Sequence, residues 1–211
     1  MSDTDQAPSD SAEPAALPAI EFESPGRFRV HNPPALPVRP PTVSAASFRI
    51  GEATPLQRFE QPEDARAHGL ALLQQASRSL CLLSRDLDPW LYDSDAVLQA
   101  CTRFLLASPR NRLRILVRDP GRLVRQGHRL LQLSHRLSSN CHIRKLNPDY
   151  PDEEHAILLA DSRALLIRPR DSEPAGYVIY DDLGRGRQCQ NQFDQAWQVS
   201  LNDPDLRSMR L

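Results

Sequence analysis

The chain has 211 residues, of which 40% are hydrophobic and 25% charged, and its formal net charge is −1 at pH 7. This length is enough for one domain of ordinary size with a tail. The near-neutral charge excludes a strong overall attraction to nucleic acid or membrane. No apolar run approaches the roughly 20 residues of a membrane span, and the acidic N-terminus has no apolar segment typical of a secretory signal. We therefore expect a cytoplasmic protein that does not bind membranes.

The four cysteines are widely spaced and include no CxxC pair; they are Cys81, Cys101, Cys141 and Cys189. This spacing favours neither a zinc site nor a disulfide framework, and it is typical of a reducing compartment. The sequence predicts no cofactor and no metal.

The first 55 residues differ in composition from the rest of the chain. They hold ten of the 19 prolines and are otherwise rich in Ala, Ser, Asp and Glu. Such a segment cannot bury enough apolar surface to offset the entropy lost on ordering. We expect a disordered acidic tail over residues 1–55 and a folded domain over 56–211. Short segments that alternate apolar and basic residues, around Phe28 and Phe48, are candidates for docking on the domain or on a partner.

Beyond the tail, helical and strand-like patterns alternate. The helical patterns cover 61–75, 94–105, 122–137 and a closing segment that starts at 184–190 and ends at 201. The first begins with Pro and acids after Gln61, and the second begins with a Ser or Asp cap at residue 94 or 95. The strand patterns cover 79–84, 113–117, 141–146, two strands within 154–167, and 176–180. Strands separated by helices favour an α/β fold, with a sheet that is parallel at first and mixed where consecutive strands follow. The alternation within 141–146 favours a strand near a sheet edge.

The segment from Glu154 to Ile167 has an apolar strand, a short turn and a second apolar strand. Together with the closing helix, which carries Phe193 and Trp197, this order resembles one half of the phospholipase D-like superfamily over about residues 60–202. The resemblance implies a single domain with a mixed sheet flanked by helices. It also implies that a signature H-x-K-x-x-x-x-D belongs on this strand, where His attacks a phosphodiester, Lys holds the phosphate and Asp supports the site.

Neither alignment of that signature supplies the lysine. With Asp161 as the acid, Glu154 and Ala156 take the His and Lys positions. With His155 as the nucleophile, the Lys and Asp positions fall on Ile157 and Ser162. The resemblance therefore implies a degenerate active site in which His155 is the one weak catalytic candidate. Because the superfamily joins two halves, it also implies a homodimer.

Polar and aromatic side chains follow two of the predicted parallel strands. Asp86, Asp88, Trp90 and Tyr92 come after the strand over 79–84, and Arg118 and Asp119 come after the strand over 113–117. If these strands are neighbours, the residues share one rim, where open α/β sheets bind ligands. They could bind a small polar ligand, form an ion-pair network, or build an Asx turn and helix cap. Paired aspartates could also coordinate Mg²⁺.

Positive charge is concentrated between Cys101 and Asn147. This segment contains eleven Arg or Lys residues and one acidic residue, Asp119. A basic stripe follows the helical period over 122–137 and consists of Arg122, Arg125, Arg129 and Arg136. Clustered arginines suit phosphate groups, which makes a polyanion or nucleic acid a candidate partner. The same stripe could instead be a solvated helix face whose charge is balanced by acids elsewhere.

The sequence thus predicts a non-catalytic phospholipase D-like module that binds or regulates, with a phosphate-bearing or anionic ligand. One alternative is a phosphodiester hydrolase that acts through His155 in a homodimer. The other is a structural domain that associates with a copy of itself.

Overall fold

The computed structural model describes residues 44–151 and 154–206, so most of the predicted tail lies outside the described residues. The strands are β1 (Gln57–Phe59), β2 (Ser79–Ser84), β3 (Arg112–Val117), β4 (Cys141–Lys145), β5 (Ala156–Ala160), β6 (Ala164–Arg168) and β7 (Gly176–Ile179). The helices are α1 (Pro62–Gln75), α2 (Pro89–Tyr92), α3 (Asp95–Ala107), α4 (Gly121–Gln126), α5 (Arg129–Arg136) and α6 (Leu183–Gln198), followed by a 3₁₀ helix over Pro204–Leu206. In this part of the chain, no helix is long and apolar enough to cross a membrane.

The strands form one mixed sheet in the order β1-β7-β6-β5-β2-β3-β4. β2, β3 and β4 are parallel, whereas β2 pairs antiparallel with β5, and β5, β6, β7 and β1 continue antiparallel. The predicted α/β class, with a mixed sheet flanked by helices, is confirmed. β4 occupies an edge of the sheet, as its alternating pattern predicted.

Helices cover the sheet on both faces because the central strands are apolar on both. Leu80, Leu82 and Leu158 point to the face packed by α1, α3 and α5. Alternate residues such as Cys81 and Leu159 point to the face packed by α6. Strand side chains alternate between faces, so near-continuous apolar runs are required where both faces are covered.

The single helix predicted over 122–137 is wrong. The structure has two helices, α4 and α5, because Gly127 ends α4 in the left-handed conformation at φ 72°. His128 then starts α5, and its Nδ1 accepts a hydrogen bond from the Leu130 N–H at 3.1 Å. The predicted continuous basic stripe is therefore divided between two short helices.

Residues 44–55, the last part of the segment expected to be a tail, lie against the domain. The Phe48 ring stacks on Tyr180 with 5.2 Å between centroids. Gln75 holds the same segment, since its amide donates to the Phe48 carbonyl at 2.8 Å and accepts from the Ile50 N–H at 2.9 Å. The apolar-basic segment around Phe48 thus docks on the domain itself, while the one around Phe28 lies outside the described residues.

Gly186 provides the first testable prediction, because α6 approaches the β5–β6 turn closely there. A Cβ on Gly186 would lie 2.2 Å from the Ser162 carbonyl oxygen, whereas a Cβ on Gly184 would lie 3.4 Å from its nearest neighbour, Asp182 Oδ1. We expect Gly186→Ala to lower the free energy of unfolding by about 1–3 kcal/mol through overpacking. Gly184→Ala in the same helix should cause no loss. Urea denaturation of both variants checks this, and equal stability of the two would contradict the close approach.

Candidate functional site

The carboxyl ends of β2 and β3 meet at one edge of the sheet because these strands are parallel neighbours. The end of β6 and the start of β7 reach the same edge. A cavity of about 500 Å³ opens there, and we call it the rim cavity; its lining is Arg85, Asp86, Asp88, Pro89, Trp90, Asp119, Arg122, Arg125, Asp171 and Ser172. Four of the six residues predicted to bind a ligand thus line one cavity.

The other two predicted ligand-binding residues do not line the rim cavity. Tyr92 lies in the apolar core at 3% exposure, and burial raises the pKa of its phenol. The Arg118 guanidinium points toward the antiparallel half of the sheet. It donates to the His155 carbonyl at 2.7 Å and pairs with Asp171 at 3.4 Å. These two residues support the rim rather than form its surface.

A buried ion pair between Asp88 and Arg168 forms the base of the rim. Arg168 is 1% exposed, and its Nη2 donates to Asp88 Oδ2. Its Nη1 donates to the carbonyls of Asp171 and Glu173 at 2.9 and 3.0 Å, and its guanidinium lies 5.2 Å from the Trp90 ring centroid. This arginine therefore joins the end of β6 to the turn after β2.

Arg168 could not be identified as a site residue from the sequence, because a charged residue directly after an apolar strand is typical of a strand end that enters solvent. The weak signal available was the charge itself, which directly follows Ile167 on a strand predicted to be apolar. Its partner Asp88 lies 80 residues away in the sequence.

The turn after β2 has an unusual backbone. Leu87 and Asp88 adopt φ values of 62° and 29°, a region that residues other than glycine seldom enter. The Ser84 hydroxyl accepts from the Leu87 N–H at 2.7 Å and so stabilises the turn. Burial raises the pKa of Asp88 to about 6, Arg168 opposes this rise, and Asp86 and Asp171 add to it. Strained turns of this kind concentrate at binding and catalytic sites.

Arginines surround the mouth of the rim cavity. Arg122 pairs with Asp86 at 3.1 Å. Arg85 and Arg125 are exposed, and within residues 44–151 and 154–206 their side chains have no hydrogen bond or ion pair. Asp119 accepts from the Gly121 N–H at 2.9 Å. Two guanidinium groups are thus available to a ligand in a site whose other charges are largely paired.

The predicted anion-binding stripe is not a uniform cationic surface. Arg122 pairs with Asp86, and Arg129 pairs with Asp93 and Asp95, both at 3.3 Å. Arg125 and Arg136 are exposed and have no acidic partner in the described part of the chain. Two of the four arginines are therefore neutralised by ion pairs within the domain. The other two, Arg125 and Arg136, lie on different helices, α4 and α5.

His155 lies at a different cavity, of about 380 Å³, between the sheet and α6. That cavity has a mainly apolar wall that includes Leu83, Ile157 and Phe193. Asp161, the acid in the other alignment of the signature, lies at the far end of β5, roughly 20 Å away at the usual rise of a strand. Its carboxylate accepts hydrogen bonds from the N–H groups of residues 77–79. Asp161 is thus bonded to the start of β2 rather than to His155.

The chain is similar in fold to several solved structures. One is TrmBL2, an archaeal chromatin protein, at a TM-score of 0.52 and 13% identity, with 72% of this chain and 54% of that chain covered. Another is NucT from Helicobacter pylori, at 0.49 and 9% identity, with coverage of 70% and 97%. A third is phosphatidylserine synthase from Haemophilus influenzae, at 0.42 and 15% identity, with coverage of 67% and 38%.

At 13% identity, the likeness to the archaeal chromatin protein shows the fold alone, and this chain spans about half the length of that protein. No curated protein matches the sequence. Residues 61–209, well over half of the chain, match a family model described as a domain of unknown function (DUF7931), and the chain belongs to that family.

Proposed function

We propose that this protein is a non-catalytic phospholipase D-like module that binds a phosphate-bearing ligand in the rim cavity. The observation that supports this most directly is the pair of exposed arginines, Arg85 and Arg125, at the mouth of a preformed polar cavity. Guanidinium groups bind phosphate through two parallel hydrogen bonds, and they are the preferred side chains for this contact. Open α/β sheets bind ligands at this edge, which favours the same location.

The lining of the cavity also limits the class of ligand. Asp119 and Ser172 at its wall carry acceptor oxygens, which suit a ligand with hydroxyl or amino groups beside its phosphate. The Trp90 ring offers an apolar surface to a sugar or a base. A nucleotide combines these features. The archaeal chromatin protein TrmBL2 binds DNA, and its likeness in fold makes nucleotides the first ligands to test.

Isothermal titration calorimetry with inorganic phosphate and adenosine monophosphate tests the proposal. The informative variant is Arg85→Gln/Arg125→Gln, and the matched control is Arg103→Gln/Arg136→Gln, which removes two exposed arginines on α3 and α5. We expect the rim variant to weaken nucleotide binding at least tenfold, since each charge-assisted contact contributes about 1.5–3 kcal/mol. The control should bind like the wild type. Equal loss in both variants, or no nucleotide binding by the wild type, would overturn the proposal.

The non-catalytic part of the proposal is supported by the sequence around His155, since neither alignment of the signature supplies its lysine. The residues next to His155 along β5, Ala156 and Ile157, are apolar and buried at 3% and 6% exposure. A phosphodiesterase assay with bis-p-nitrophenyl phosphate should show no turnover by the wild type. Turnover that disappears in His155→Ala would establish the hydrolase alternative instead.

We also propose, from the resemblance, that two copies of the domain pair. Sedimentation velocity over a range of protein concentrations measures this directly. A single monomeric species at the highest concentration would argue against pairing and against a purely self-associating structural role.

A further inference from the structure

The α6 side of β3 and β4 carries four basic side chains. Arg112 and Arg114 on β3, and His142 and Arg144 on β4, point to the same face, because alternate residues of these strands belong to the core on the opposite side. The strand register places Arg114 beside His142 and Leu116 beside Arg144. We call these four residues the β3–β4 face.

α6 covers only part of this face, because Arg112 is exposed while Arg114, His142 and Arg144 are half-buried. The helix packs over β2, β5 and β6, and it reaches the β3–β4 face through Phe193, Asp194 and Trp197. In the described part of the chain, the other long helices lie on the opposite side of the sheet. Arg112 is exposed, and the Arg114 side chain keeps 24% of its surface accessible. The basic side chains of this face therefore keep part of their surface accessible to a ligand.

Aromatic rings hold two of the guanidinium groups in place. The Arg144 guanidinium lies 4.5 Å from the Trp197 ring centroid, and the Arg114 guanidinium lies 5.2 Å from that of Phe193. Phe193 and Trp197 stack on each other at 5.8 Å. Arginines fixed in this way lose little further conformational entropy when they bind a phosphate group.

The charges on this face are only partly balanced by acids. Asp194, which pairs with Arg114 at 2.7 Å, is the one acid bonded to the four residues within the described ranges. Arg112 donates to carbonyls of residues 109 and 111, and Arg144 donates to the Trp197 carbonyl at 3.4 Å, so both keep their full charge. Burial lowers the pKa of His142, a hydrogen bond with the Ser139 backbone opposes this, and the nearby Arg144 and Arg112 lower the pKa further.

We propose that the β3–β4 face binds single-stranded nucleic acid. Its arginines would contact successive phosphates, and the stack of Arg144 on Trp197 would offer a planar surface to a base. An acidic polypeptide could pair with the arginines, but it has no base to place on the stack of Arg144 and Trp197. The arrangement therefore favours nucleic acid. This site goes beyond the proposed nucleotide site, since the rim cavity lies at the carboxyl edge of β2 and β3.

Fluorescence anisotropy with a labelled oligothymidylate, at two salt concentrations, tests this inference. We expect Arg112→Gln/Arg144→Gln to weaken binding at least tenfold and to flatten the dependence of log affinity on log salt by about 1.4, or 0.7 for each lost phosphate contact. Arg103→Gln/Arg136→Gln, with the same change in charge on the other side of the sheet, should bind within about twofold of the wild type. Arg112→Lys/Arg144→Lys keeps the charge and should lose less affinity than the glutamine variant.

Further outcomes separate this site from the rim cavity and from protein ligands. Arg85→Gln/Arg125→Gln should weaken oligonucleotide binding less than Arg112→Gln/Arg144→Gln does. If that variant loses binding while the β3–β4 variants keep it, the strand sits at the rim, and this inference is wrong while the proposed function stands. Competition by polyglutamate as strong as that by unlabelled oligothymidylate would also overturn it. The thermal unfolding midpoint of each variant shows whether a loss of binding reflects unfolding. If the glutamine variant is unfolded, the affinity of Arg112→Lys/Arg144→Lys tests the inference instead.

Discussion

Replacing Arg168 with Met should lower the free energy of unfolding by about 3–5 kcal/mol, the range for removing one partner of a buried ion pair. The substitution leaves the Asp88 carboxylate buried without its cation, and it also leaves the carbonyls of Asp171 and Glu173 without a donor. Met fills a similar volume, so a cavity should contribute little. Urea denaturation followed by circular dichroism measures the loss.

Arg170 provides a matched control two residues away. It pairs with Glu173 at 2.8 Å, but its side chain is 75% exposed, so Arg170→Met should change stability by less than about 1 kcal/mol. The double variant Asp88→Asn/Arg168→Met should be more stable than Arg168→Met alone, because it removes the uncompensated buried charge. Equal losses for Arg168→Met and Arg170→Met would show that the pair at the base of the rim has no special role.

Replacing Asp161 with Ala should destabilise the domain by about 2–4 kcal/mol. The carboxylate accepts four hydrogen bonds at 2.7–2.9 Å, three from the N–H groups of residues 77–79 and one from the Ser77 hydroxyl. Hydrogen bonds to charged groups contribute about 1.5–3 kcal/mol each, and the exposed position of this turn reduces that sum. Asp161 also has a φ of 54°, which Ala adopts at a cost of about 1 kcal/mol.

Ser162 provides a control in the same turn. It has the same φ of 54°, and its hydroxyl makes one hydrogen bond, to Gln190 at 3.1 Å. Ser and Ala adopt this φ at a similar cost, so Ser162→Ala should lose little beyond that hydrogen bond. Asp161→Asn, which tolerates this φ and keeps one acceptor oxygen, should fall between Ser162→Ala and Asp161→Ala. An Asp161→Ala variant as stable as Ser162→Ala would contradict this role for the carboxylate.

The elements that sequence patterns predicted well are those with local signals. Pro62 and the acids after it mark the start of α1, and the apolar run Ser79–Ser84 coincides with β2. The α3 cap at Ser94 accepts from the Val97 N–H at 3.3 Å, as a Ser before an apolar stripe predicts. These signals depend only on residues that are close in the sequence, so they can be recognised without knowledge of the tertiary contacts.

Features that depend on distant partners could not be predicted. Gly127 fits an apolar stripe as well as it fits a helix end, and only its left-handed backbone decides between them. β1 has three residues, and it forms because β7 offers an unpaired edge. In the candidate site, the ends of β2 and β3 were predictable from strand order. Asp171 and Ser172 come from the loop after β6, whose path no local pattern specifies.

The sheet order carries a kinetic consequence. The parallel half, β2 to β4, and the antiparallel half, β5 to β7, are each built from segments close in sequence. Their strands are joined by the pairing of β2 with β5, and the bonds between Ser77 and Asp161 in that junction connect residues 84 positions apart. Closing so long a loop is entropically costly and slows folding. The junction should therefore form in the rate-limiting step, so that Asp161→Ala reduces the refolding rate more than it raises the unfolding rate.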